Sequence, residues 1–261
     1  MVIAEAQDSR RGRVFRMLLG MRNPFARRPQ LPATIAALSQ DVEGDLRVEA
    51  RCLVWPGFTS LEDAVQELVE RGEANGLPAG AVHDVAERIV GEEWAVREAE
   101  LATQGDTGDY GRLVGAFSAL ADEGILARMN FTCCQTCGSA EIDAERTSTG
   151  TAAPGRYPYA EWAYTFFHAQ DAERLAEPDP TLMLSFSAFT AAPDSNAADV
   201  ASGRAGDQEA MARVIAHTDA TVGRAVVSAL VAQGLTVAWD GTGAQRIAVS
   251  VPHWRKPMPL D

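Results

Sequence analysis

Three of the chain's four cysteines fall within five positions, in Asn130-Phe131-Thr132-Cys133-Cys134-Gln135-Thr136-Cys137-Gly138. Thiols at this spacing can do three different things. Cys134-x-x-Cys137 can place two thiolates on one zinc ion, and Gly138 permits the tight backbone turn that zinc knuckles use. A tetrahedral site then needs two further ligands, for which Cys133, His168, His217, His253 and Cys52 are the candidates, with His168 first among the four histidines. The second Cys-x-x-Cys that would complete such a site is absent. Alternatively the pair is a dithiol at a helix start. There the N-terminal dipole lowers the first thiol's pKa, Cys134 attacks a disulfide and Cys137 resolves the mixed disulfide. The aromatic approach and cis-proline segment of a thioredoxin layout are missing, Pro193 and Pro252 being poor substitutes. In the third case the cysteines simply pack beside a sheet as small apolar groups.

A second constellation is Phe166-Phe167-His168-Ala169-Gln170-Asp171. His168 would lie at the end of a strand, where sites are commonly built, and a thiol, His168 and Asp171 could form a nucleophilic site. The plainer alternative has His168 and Gln170 bonding locally and Asp171 capping a helix. Trp239-Asp240-Gly241 reads as a turn with Trp239 in the core, and His253-Trp254-Arg255 as a tail packed on the sheet. The chain has no Walker loop, His-Glu-x-x-His or Gly-x-Ser-x-Gly, so those phosphate, metalloprotease and hydrolase chemistries have no motif here.

The elements that must position these residues change character along the chain. Residues 1–32 read as a basic, disordered tail broken by Pro24, Pro29 and Pro32, or as an extension upstream of a start at Met21. Within it, residues 10–28 are the segment that could touch a membrane surface or partner. Apolar periodicity then predicts helices over 41–54, from Leu61 to Asn75, from about Val82 to about 103, and from Leu113 to Gly124. Ser60 and Asp63 form a capping box, and Glu92-Glu93 and Glu98 to Glu100 read as a solvated helix face. Residues 33–124 are thus expected to be a helical subdomain.

After Gly124 the period becomes two. Strands are expected at 125–131, 163–168, 182–189, 235–239 and 246–251, the last two a hairpin through Asp240-Gly241. Leu182 to Phe189 is nearly apolar throughout, which makes it the central strand. Helices are expected at 140–146, from near Ala172, and over a long stretch before Gly234 with Ile215, Thr218, Val222, Val226 and Leu230 on one face. The small polar residues of 190–206 read as a mobile insertion. The fold class is α+β: a helical N-terminal part, then residues 125–256 as a small mixed sheet of about five strands with helices packed on it.

Charge narrows the partners. Of 23 basic and 36 acidic residues, seven arginines and two acids fall within residues 1–30, so the remainder holds 16 basic and 34 acidic residues, a net −18. A body that acidic repels phosphate backbones, so no nucleic acid is expected as partner. No uninterrupted apolar run reaches the roughly 20 residues of a bilayer span, so no transmembrane segment is expected. The N-terminal arginines before Val14-Phe15 are followed by no small-residue cleavage site, so the expected location is cytoplasmic and the cysteines are expected to be reduced or metal-bound.

The stretch from Leu113 to Gly138, with Ala116-Phe117, Gly124-Ile125 and the cysteine run, resembles a bacterial family, domain of unknown function 6891, common in actinobacteria. Phe166-Phe167-His168-Ala169-Gln170-Asp171 and Trp239-Asp240-Gly241 resemble its later signatures, and the likeness covers residues 45–256. The resemblance brings no activity and no catalytic residues. It implies that the cysteine run and the Phe-Phe-His-x-Gln-Asp run share one domain, which favours their meeting in space. The leading expectation is a non-enzymatic binding or regulatory module with a structural zinc on Cys133, Cys134, Cys137 and His168; the alternative is a redox protein using Cys134 and Cys137.

Overall fold

The structure, a computed structural model, describes residue 38 and residues 40–150 and 157–259. The basic tail, with its expected membrane or partner contact, lies outside the described residues. The chain divides into two compact units, one running to Asp106 and including the residues from Lys256 on, the other Thr107–Arg255.

Among the described residues the first unit has three helices, α1 (Gln40–Val54), α2 (Leu61–Ala74) and α3 (Ala79–Ala102). Each buries one apolar stripe into a shared core: Leu46, Ala50 and Leu53 from α1, Ala64 and Leu68 from α2, and Val82, Ala86 and Ile89 from α3. The expected cap is present, with Ser60 Oγ accepting the Asp63 N–H at 3.1 Å. The acidic face of α3 departs from expectation at Glu93, which is buried and accepts from Arg47 Nη1 of α1 at 3.0 Å, while Glu92 pairs with the same guanidinium. Arg47 reaches across from a neighbouring helix, so this carboxylate holds a fixed ion pair and is not merely solvated.

The second unit opens with α4 (Gly108–Asp122), which the sequence groups with the preceding helices. It belongs here because it packs against the first strand, β1 (Ile125–Arg128), and against the long helix α8 (Gln208–Ala232). After β1 come α5 (Gln135–Glu141), β2 (Ala163–Phe166), a one-turn helix α6 (Ala169–Ala172), β3 (Thr181–Ala188) and α7 (Ala197–Arg204). Then α8 leads into β4 (Thr236–Ala238) and β5 (Ile247–Ser250). The helix expected at 140–146 begins five residues earlier, on the cysteine motif itself, and ends in a 3₁₀ turn at Ile142–Glu145. Within the expected mobile insertion, residues 197–204 are helical: Asn196 Oδ1 accepts the Ala198 and Asp199 N–H groups at 2.9 and 3.1 Å, and Gly203 lies against Met211 of α8. An N-cap and a packing surface give this low-hydrophobicity segment what composition does not display.

The sheet order is β1-β2-β3-β5-β4, with β1 and β2 parallel and the rest antiparallel. The apolar strand β3 is central, as expected. On one face, Leu126 and Phe166 pack on Ile142, and Gly138 of α5 sits so close that a Cβ there would meet Phe166 Cε2 at 2.4 Å. The other face takes α8: Trp239 lies on Gly223 of that helix and meets Phe186 edge-on at 5.8 Å. Trp239 is half-buried, with its indole N–H donating to the Thr242 carbonyl at 3.0 Å. Trp254 packs on Tyr110 at the start of α4, with ring centroids 5.4 Å apart. Helix α8 is long and apolar enough, on average over its length, to cross a membrane. It has a buried stripe of Val214, Val222, Val226 and Leu230 and carries Arg213, Asp219 and Arg224, the pattern of a core helix.

Candidate functional site

The parallel pairing of β1 with β2 sets up the site. Beyond the strand ends, Phe131 N–H donates to the Phe167 carbonyl at 2.8 Å, Ala169 N–H to Thr132 at 3.0 Å, and Gln170 N–H to Cys133 at 3.4 Å. The cysteine run and the Phe-Phe-His-Ala-Gln-Asp run therefore travel side by side, as their membership of one domain implied. To turn from β1 into α5 within a few residues the chain takes left-handed conformations at Asn130 (φ 49°) and Thr132 (φ 59°). For Thr132, β-branched, this costs about 1–2 kcal/mol and persists because the surrounding bonds hold it. Its hydroxyl donates to the Cys134 carbonyl at 3.2 Å.

The result is a cluster in which the sulfurs of Cys133, Cys134 and Cys137 lie within 4.8 Å of one another, all three residues half-buried. The thiols are not equivalent. Burial pushes the Cys133 thiol up to about 12, helped by its hydrogen bonds with Cys137 and Cys134. Cys134 is shifted down, first by the backbone N–H of Cys137 and also by its neighbouring thiols and the Thr136 N–H. Its sulfur makes no cap hydrogen bond of regular geometry, so the helix start acts on it as oriented dipoles. Cys137 is drawn down by Cys133, but burial and the Cys134 thiol outweigh this and its net shift is upward. Cys134 is thus the first of the three thiols to lose its proton as pH rises.

His168 does not join the sulfurs. It is the N-cap of α6: Nδ1 accepts the Asp171 N–H at 3.3 Å, and Nε2 lies 3.0 Å from Asp171 Oδ2. Both ring nitrogens are engaged, so His168 is withdrawn as a ligand. The local alternative is the observed one, except that His168 is the cap and Asp171 reaches back. Burial holds the imidazole below its ordinary value, with Asp171 opposing and Arg246 adding to the shift. This fits a neutral ring whose Nε2–H donates to the carboxylate. Arg246 completes the group, with Nη1 donating to Asp171 Oδ1 at 3.1 Å and Nη2 to Asp171 Oδ2 and the Met183 carbonyl. Asp171 and His168 are 4% and 6% exposed and Arg246 is half-buried, so the carboxylate at the centre of this triad is buried and held from both sides. No sequence motif marks Arg246; the usable signal is that a buried Asp171 needs a cation. The remaining candidates lie elsewhere: His217 pairs with Asp194 at 2.9 Å, the His253 backbone is tied to Asp109, and Cys52 is in α1.

The three sulfurs fit a thiophilic ion. A tetrahedral zinc with Zn–S near 2.3 Å holds its sulfurs about 3.8 Å apart, so modest side-chain rotation from the observed spacing suffices. The fourth position is supplied by no residue grouped with the sulfurs among those described. No curated protein and no solved structure matches this chain. A family model described as Domain of unknown function (DUF6891) matches residues 39–258, and the chain belongs to that family.

Proposed function

We propose that the chain is a non-enzymatic binding or regulatory module whose Cys133, Cys134 and Cys137 hold one zinc ion. The observation that carries this reading is the mutual approach of the three sulfurs to within 4.8 Å. Soft thiolates select zinc over hard cations, and a bound ion would offset the repulsion between neighbouring thiolates. The fourth position is left for water or an external donor. Four free cysteines accord with a reducing, cytoplasmic setting. Metal analysis of protein purified without added zinc tests the reading. About one ion per chain is expected, lost in Cys137→Ser, and metal-free protein that also fails to take up zinc on titration overturns it.

The lowered Cys134 thiol favours a second reading as a dithiol reductant. Cys134 thiolate would attack a substrate disulfide, forming a mixed disulfide and expelling one substrate thiolate. Cys137 would then attack the Cys134 sulfur and expel the second, leaving Cys134–Cys137 oxidised and the substrate reduced. A reversible disulfide between these two residues in metal-free protein supports this reading; two thiols that stay reduced against oxidised glutathione argue against it.

A further inference from the structure

A separate feature lies at the other end of β3, between α7 and α8. The helices meet closely at Gly203, where a Cβ would come within 3.2 Å of the Met211 backbone. Beside that contact they diverge round a cavity of about 240 Å³. Its apolar lining comes from Phe189, Val200, Met211, Val214 and Ile215. Met211 and Ile215 are 38% and 52% exposed, so apolar surface faces solvent beside this cavity.

The charged and polar groups lining the cavity are unequally committed. Thr218 Oγ accepts the Ala192 N–H at 3.1 Å, and Asp199 pairs with Arg213 at 2.6 Å. Arg204 also lines the cavity and is exposed. Asp219 is different. It lines the cavity, it is half-buried, and no described residue gives it a hydrogen bond or ion pair. The β4–β5 loop lies against its other side, where a Cβ on Gly243 would meet Asp219 Oδ2 at 2.5 Å and Gly243 itself brings no side-chain donor. Burial raises the pKa of this carboxylate, which among the described residues is left without a cationic partner for the hydration it gives up. The chain tolerates it beside an apolar-walled opening, in a body whose net charge attracts cations.

We propose that this cavity is a binding site for a small aliphatic primary amine, its ammonium donating to Asp219 and its alkyl body lying among Phe189, Val200 and Val214. The cavity is fragment-sized, which sets the ligand at a short alkyl chain. The site is independent of the thiolate cluster and does not rest on the zinc reading.

Titration of the full chain with n-pentylamine, pentan-1-ol and pentanoate, followed by ¹⁵N–¹H NMR, tests it. The amine is expected to bind saturably and shift amides in residues 187–191 and 211–219. The isosteric alcohol should bind at least about tenfold more weakly, since it lacks the charge-assisted bond, and pentanoate not at all. Asp219→Asn should bring amine binding down to the level of the alcohol while leaving the alcohol unchanged. Because this substitution removes an uncompensated charge at constant shape, the variant should melt at or above the wild-type temperature, so loss of binding cannot be attributed to unfolding. Val214→Phe, which fills the cavity, should abolish binding of both. Equal amine binding by wild type and Asp219→Asn, preference for pentanoate, or no saturable binding overturns the proposal.

Discussion

Cys133 and Cys134 are adjacent in sequence, yet one thiol is pushed up to about 12 and the other is lowered. The difference follows from direction. Cys134 faces the N–H groups that open α5, whereas Cys133 turns inward and loses solvent. Zinc must displace the protons these thiols hold, and affinity is expected to rise with pH as protons are released on binding. Competition with a chromophoric chelator at pH 6.5 and 8 measures this, and a pH-independent affinity contradicts the assignment. Cys137→Ser should weaken binding by more than about a hundredfold, since loss of a mere supporting group already costs 10–100-fold. His168→Gln should leave zinc affinity near wild type but change stability. The folded imidazole titrates below its ordinary 6.5, so the unfolded chain takes up the proton first. Stability is then lost as pH falls from 6.5 towards the lower folded value, and His168→Gln removes that part of the slope in denaturant melts at pH 7.5 and 5.5. The thiols were legible in the sequence as a cluster. The role of His168 was not, because a histidine three positions before an aspartate fits a cap and a ligand equally well.

At the scale of elements, the site depends on how tightly α5 meets β2. Gly138 has no side chain where Phe166 needs the space. Gly138→Ala forces the helix outward and is expected to destabilise by about 1–3 kcal/mol, as overpacking does. It should also loosen metal binding, because the same helix carries Cys137; calorimetry and zinc titration report the two effects separately. Arg246, at the start of β5, bonds an aspartate 75 positions earlier. Arg246→Met leaves the Asp171 charge buried beside neutral His168, for a loss on the order of 3 kcal/mol in urea melts. Helices α1 to α3 and the central place of β3 could be read from period and apolar content, and the N-cap at Ser60 from its residue type; the reciprocal bond from Asp63 to the Ser60 N–H is not the one made, Asp63 instead accepting the Ser60 hydroxyl. The early start of α5 could not. Its first residues are polar or thiol-bearing with no periodicity, and the helix forms because left-handed Asn130 and Thr132 turn the chain onto the sheet.

For the whole molecule, the division falls at Asp106–Thr107, so α4 goes with the sheet. The fragment Thr107–Arg255 contains the thiol cluster, the His168–Asp171–Arg246 triad and the α7–α8 cavity. It is expected to unfold cooperatively by itself and to bind zinc as the full chain does. A fragment with no cooperative transition by calorimetry would show that the unit is not autonomous.

What the sequence determined by itself was local. Its apolar periods set the helices and strands, its composition the acidic body, its spacing the clustering of three thiols, and its motifs the family. Tertiary structure alone decided which partners those groups have. Cys133 to Cys137 need no distant residue to come together, because five consecutive positions at a helix start already bring their sulfurs close. Asp171 acquires Arg246, and Asp219 comes to lie beside Gly243, only when strands far apart in the chain pair in one register. Pairing between strands distant in sequence leaves no local period or spacing to read, so the cluster was visible from the start and the triad and cavity were not.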